Sequence, residues 1–178
     1  MLKDFSLQER SWILYDWANS AHSAVITAAV LPLFYKAMTR DAGIASHVAD
    51  SYWGYATSAG TLIIALLMPL LGAIGDYRGV RMRLFRLFFL IGVISTAGLA
   101  FAPSWSSLLA IYMLTILGFA GANLYYDTAL VDVTTPERMD RVSTFGFGFG
   151  YIGGSTIPLV ASIALIMLGP KVGIASDL

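Results

Sequence analysis

Five stretches of this sequence stay mostly apolar for about twenty residues each, the length an α-helix needs to cross the hydrocarbon of a bilayer. They run from about Trp12 to Met38, Ser51 to Gly75, Leu84 to Ala102, Ser107 to Val131 and Val142 to Leu168. Inside lipid each backbone N–H and C=O must find its partner within the spanning structure, so runs of this length admit helices and little else. The composition agrees. Of 178 residues, 57% are hydrophobic and 12% charged, whereas a soluble domain carries about 25% charged residues. A chain this short cannot hide so much apolar surface in a water-soluble core. The expected fold class is an all-α integral membrane protein with five transmembrane helices, and the expected first partner is the lipid bilayer.

The connections set the orientation. The segment Gly72 to Arg86 (GAIGDYRGVRMRLFR) places Arg78, Arg81, Arg83 and Arg86 between the second and third spans. Lys3 and Arg10 precede the first span, and Arg138 and Arg141 lie between the fourth and fifth. That puts eight of the eleven basic residues on one side of the membrane and leaves Lys36, Arg40 and Lys171 on the other. Short basic loops stay in the cytoplasm, so the N-terminus is expected inside. Tyr35, Tyr52, Trp53 and Trp105 fall near the outer helix ends, as an interfacial aromatic belt would. Five spans put the tail from Gly169 to Leu178 outside. It reads as an outer loop cut off ahead of a sixth helix.

Several function classes find no support. The net charge is zero, which gives nucleic acid no basic footprint. There is no cysteine, hence no disulfide and no thiol chemistry. The first apolar run is too long for a signal peptide. No glycine precedes a Lys-Ser/Thr pair, no nucleophile elbow occurs, and the two histidines lie in different segments without a third ligand. No enzyme, metal site or cofactor is expected.

What chemistry the chain has lies inside the spans, where each ionisable residue is costly and points to function. Asp16, Asn19, Ser20 and Ser23 recur three and four apart and form one polar stripe, with His22 at its edge. Such a stripe must face either a partner helix, as polar glue, or a water-filled cavity. On the fourth span Asn123 and Asp127 share a face with Tyr126. Asp16 and Asp127 both lie about four residues from a cytoplasmic helix end, roughly 6 Å inside it. Carboxylates at matching depth could share a proton or hold a cation. The alternative for Asp127 is a hydrated interfacial position. On the fifth span Gly146, Gly150 and Gly154 make a ridge of small residues suited to close helix packing, and Pro158 is placed to kink the same helix.

The basic loop resembles the signature of the major facilitator superfamily, G-x-x-x-D-R/K-x-G-R-R/K, through Gly72, Asp76, Gly79 and Arg81. Tyr77 and Val80 depart from it, with Arg78 and Arg83 as stand-ins. The resemblance implies that these residues, together with Arg138, latch the cytoplasmic gate. A narrower likeness rests on Trp12 to Ala21 (WILYDWANSA), Tyr52 to Tyr55 (YWGY), Gly121 to Asp127 (GANLYYD), Leu130 to Ser143 (LVDVTTPERMDRVS) and Gly150 to Gly154 (GYIGG). These are similar to the vacuole effluxer-like branch, which includes the fungal autophagy-related vacuolar amino-acid effluxer and many bacterial relatives.

The resemblance implies a protein of about twelve helices, of which this chain would be the N-terminal half without its sixth helix. Transporters of this fold bind substrate near the midplane between two halves. Helices one and four would then line the cavity with Asp16, Asn19, Ser20, His22, Asn123, Tyr126 and Asp127, and helix five would lie against the other half. The implied activity is amino-acid efflux by alternating access, with protons as the candidate coupling ion. The implied membrane is a bacterial plasma membrane, or a vacuolar one if the source is fungal. The competing expectation is a non-transporting membrane bundle that serves as an assembly partner for a second chain.

Overall fold

The computed structural model of the chain describes residues 2–77 and 79–168. Arg78, Lys171 and the expected turn-like tail lie outside the described residues. Within them the chain forms a short 3₁₀ turn, Leu2–Asp4, and five long helices. These are α1 (Leu7–Asp41), α2 (Ser46–Gly75), α3 (Arg81–Leu99) and α4 (Trp105–Val133). The fifth, α5, is built from Pro136–Phe149, Gly150–Thr156 and Ile157–Leu168 in unbroken succession. All five are long and apolar enough to cross a membrane. No strand occurs among the described residues.

Helix ends depart from the apolar runs where local chemistry dictates. α1 starts at Leu7 rather than Trp12 because Ser6 and Glu9 form a reciprocal capping box, satisfying two otherwise orphaned backbone donors. α5 starts at Pro136 rather than Val142. Thr135 is extended, with φ −86° and ψ 157°, and proline at the first helical position sacrifices no hydrogen bond. α3 begins earlier than expected, at Arg81, and ends at Leu99 rather than Ala102. With 35 residues, α1 is about 52 Å long, so its ends reach beyond a hydrocarbon layer of about 30 Å.

The surface is inverted relative to a soluble protein. Leu62, Leu66 and Leu70 form an exposed ridge on α2, and Leu87, Leu90 and Ile94 another on α3, while Glu9, Asp16, Thr39, Ser95 and Thr115 are buried. Contiguous exposed apolar surface of this kind belongs in lipid. Hydroxyls on the helices bond back to their own turns: Thr39 donates to the Tyr35 carbonyl, Ser95 to Ile91, Thr115 to Ile111 and Ser162 to Pro158. No polar partner from solvent is then required.

The chain divides into two compact units, Met1–Leu33 with Leu130–Leu178, and Phe34–Ala129. In the second unit, α3 and α4 meet backbone to backbone. A Cβ on Gly118 would run into the backbone of Gly92. The Tyr125 hydroxyl donates to the Leu71 carbonyl at 2.7 Å and ties α4 to α2. The aromatic residues expected to form an interfacial belt pack on one another. The Trp53 ring lies 5.1 Å from Tyr35 and 5.0 Å from Tyr112, Tyr52 stacks on Trp105, and the Tyr35 hydroxyl donates to the Ala49 carbonyl. Tyr35 is therefore a buried packing residue.

In the first unit α1 packs along α5. Each helix contains a stretch of π-helix, His22–Val30 in α1 and Gly150–Thr156 in α5. The Leu31 N–H reaches back five residues to the Ile26 carbonyl, and the Ile157 N–H to the Ile152 carbonyl. A proline follows each of these residues, Pro32 and Pro158. Proline has no N–H, and its ring collides with the carbonyl four residues back. A widened turn moves that carbonyl away. The expected disturbance at Pro158 thus takes the form of a π stretch just before it.

Candidate functional site

The polar stripe of α1 is built against the glycine ridge of α5. Asp16 is 7% exposed. A Cβ placed on Gly150 would lie 2.5 Å from Asp16 Oδ2 and 2.7 Å from Ser20 Oγ. One turn toward the start of α5, Gly146 leaves room for the Trp12 ring, and a Cβ there would come within 2.5 Å of it. One turn the other way, Gly154 lies against the Trp17 carbonyl oxygen, which a Cβ would overlap. Ser155 Oγ donates to the Ser20 carbonyl at 3.4 Å beside this crossing. On this face of the stripe Asp16 and Ser20 therefore lie against the α5 backbone. The same contacts correct the expected position of the ridge. Gly146, Gly150 and Gly154 are occupied by α1 of their own unit, because only hydrogen at those positions admits the Trp12 ring, the Asp16 carboxylate and the Trp17 carbonyl. Asn19 is half-buried, and so is His22, where the π stretch begins.

The second unit holds the other polar group. Asn123 Oδ1 is buried and has no hydrogen-bond partner. Tyr126, three residues on, is 5% exposed, and Asp127 is exposed. Asp16 and Asp127 belong to different units.

The basic loop also lies in the second unit. Gly72 has open space where a Cβ would be. Asp76 ends α2 and is exposed. Gly79 has φ +79°, a left-handed backbone that explains why glycine stands there. Arg81 Nη1 donates to the Thr128 carbonyl at 3.2 Å and so braces the C-terminal end of α4.

Arg138, the remaining residue expected in the latch, is engaged by a group that sequence reasoning passed over. Its Nε donates to Glu9 Oε1 at 2.9 Å and its Nη2 to Glu9 Oε2 at 3.0 Å, a bidentate pair. Glu9 also accepts from Thr134 Oγ1 at 2.6 Å and from the Ser6 N–H at 2.7 Å. Arg138 Nη2 donates further to the Asp4 carbonyl, and Arg141 pairs with the Asp4 carboxylate at 3.5 Å. Both guanidinium groups lie over the Phe5 ring, which meets Phe145 edge-on. The first residues of the chain thereby clasp the start of α5. The Ser6-x-x-Glu9 pattern was a legible helix-start signal, but its long-range partner was not. Gly92 and Gly118 were also missed, since neither sits in a repeating ridge. Among the described residues no group of three His, Asp or Glu could hold a metal ion.

Comparison with known proteins finds relatives over most of the chain. The chain is 52% identical over 170 residues, 94% of its length, to a Bacillus subtilis (strain 168) protein named "Uncharacterized MFS-type transporter YxiO", of which it covers 40%. It is 24% identical over 167 residues to an uncharacterized protein of Aquifex aeolicus (strain VF5), covering 39% of that protein. The chain thus spans about two fifths of the length of the curated relatives it matches. No family model and no solved structure matches it. Five span-length helices and a transporter-named relative make this a multi-pass membrane protein.

Proposed function

We propose that this chain is the N-terminal part of a major facilitator superfamily transporter that moves small polar solutes by alternating access. The observation that carries the reading is the likeness to the transporter-named Bacillus subtilis protein over 94% of the chain. Within that reading the substrate class is amino acids, the direction is efflux, and the vacuole effluxer-like branch is the proposed home. Asp16 and Asp127 are the proposed proton-carrying groups. Asn19, Ser20, His22, Asn123 and Tyr126 accompany them along the substrate path. The buried Asn123 Oδ1 without a partner supports this, because an unsatisfied acceptor in a membrane protein calls for a donor, and a substrate ammonium group is one. The Gly72, Asp76, Gly79 and Arg81 loop and Arg138 serve as the cytoplasmic latch.

The test is uptake and release of radiolabelled amino acids by proteoliposomes that contain the full-length protein. Wild type is expected to move at least one amino acid. Asp16→Asn is expected to lower that flux at least tenfold with unchanged protein in the membrane. Absence of flux for every amino acid refutes the substrate class, and normal flux in Asp16→Asn removes Asp16 from the mechanism.

A further inference from the structure

The two π stretches are alike in placement. Each ends immediately before an aliphatic-Pro-Leu sequence, Leu31-Pro32-Leu33 in α1 and Ile157-Pro158-Leu159 in α5. They pack against each other, and the π stretch of α5 also packs along the first part of α1. Both belong to the first compact unit, whose first segment ends at Leu33, one residue past Pro32.

A π stretch before a proline leaves a helix with a weak section. The proline contributes no N–H, so a carbonyl one turn earlier loses its helical partner, and the wider turn is poorly filled. Kinks and bends concentrate at such points. On the cytoplasmic side of both weak sections the two helices are held firmly. The buried Glu9 carboxylate and the half-buried Arg138 join them in a bidentate pair, and Trp12 fills the space over Gly146. On the other side, Ile157–Leu168 carries a run of exposed apolar residues, including Val160, Ile163 and Leu165, and among the described residues it has no comparable polar clasp. The closest backbone approach, Trp17 carbonyl to Gly154, sits between the clasp and the prolines.

We propose that α1 and α5 form a paired hinge: their cytoplasmic segments, Leu7–Ala21 and Pro136–Phe149, move as one clasped body, and their outer segments bend at the π stretches set by Pro32 and Pro158. Gly154 acts as the pivot, because no side chain intervenes between the two backbones there. The Asp16 carboxylate lies on the rigid side of the pivot, beside Gly150, where the α5 π stretch begins, and Ser20 reaches from Gly150 to the pivot itself. The hinge is a property of the helices and stands whether or not the solute is an amino acid.

The experiment measures spin-label distances in the full-length protein in lipid nanodiscs. An inner pair replaces Leu14 and Phe147, and an outer pair replaces Leu33 and Val160; all four side chains are exposed. The inner pair is expected to give one narrow distance distribution and the outer pair one at least twice as broad. Pro32→Ala with Pro158→Ala restores two N–H donors and removes both ring collisions. It introduces a good helix former, so it does not threaten folding. That variant is expected to narrow the outer distribution and leave the inner one unchanged. Glu9→Gln is expected to broaden the inner distribution. Equal widths for the two wild-type pairs, or an outer width insensitive to the proline substitutions, overturn the hinge. An inner width unmoved by Glu9→Gln overturns the clasp.

Discussion

Replacing Gly154 by alanine tests whether α1 and α5 truly meet at the backbone. In an ordinary helix interior the exchange would stabilise by up to about 1 kcal/mol, since alanine is the better helix former. Here the new methyl would overlap the Trp17 carbonyl oxygen and lie 3.0 Å from both the Trp17 carbonyl carbon and Ser20 Cβ. A carbonyl locked in a helix cannot rotate aside, so the two helix axes must part. Overpacking of this kind costs about 1–3 kcal/mol, and a backbone obstacle places it toward the upper end. After the propensity gain is subtracted, a net loss of about 2 kcal/mol is expected. Gly148 provides the control on the same helix, because nothing lies within 4 Å of its Cβ position. Gly148→Ala is expected to be neutral or to stabilise by up to about 1 kcal/mol. The two variants should therefore differ by roughly 2–3 kcal/mol. Reversible denaturation of the full-length protein in detergent, followed by tryptophan fluorescence, reads this difference. If Gly154→Ala proves as stable as Gly148→Ala, the close crossing is wrong, and with it the pivot.

Three further outcomes follow from the same contacts. Glu9→Arg and Arg138→Glu should each lower the melting temperature, and the double exchange should recover only the part due to the ion pair, since arginine at position 9 cannot accept from the Ser6 N–H or Thr134; singles no worse than wild type would mean the clasp contributes nothing. Tyr125→Phe removes the 2.7 Å hydrogen bond to the Leu71 carbonyl and should cost about 1 kcal/mol in the same denaturation assay, and an unchanged midpoint would contradict it. This stretch contains no cysteine, so single thiols introduced at exposed Tyr77 and Phe101 meet no background from it. In intact cells a membrane-impermeant maleimide should label Phe101→Cys and spare Tyr77→Cys, and the reverse pattern would invert the assigned orientation.

How much of the site could be read in advance depended on the range of each interaction. The polar stripe of Asp16, Asn19 and Ser20 follows from helical period alone, and the small-residue ridge of Gly146, Gly150 and Gly154 follows from a spacing of four. Each shows that a face must be covered; neither shows by what. Glu9 illustrates the opposite limit. Its capping role spans three residues and is visible locally, whereas its partner Arg138 is 129 residues away. The widened turns in α1 and α5 were half visible. Pro158 announces a disturbed helix, but a kink, a break and a π stretch are equally consistent with a missing N–H.

The sequence by itself determined that this chain is helical and belongs in a bilayer, because about twenty apolar residues in a row leave the backbone no other way to satisfy its polar groups in lipid. It also determined which residues are too polar to face that lipid. Tertiary structure alone decided what those residues meet. The glycine ridge closes on α1, Asp16 lies against Gly150, and Glu9 holds Arg138. Those choices depend on the depth and rotation of one helix against another, set by side-chain volumes on both, and no single helix carries that information.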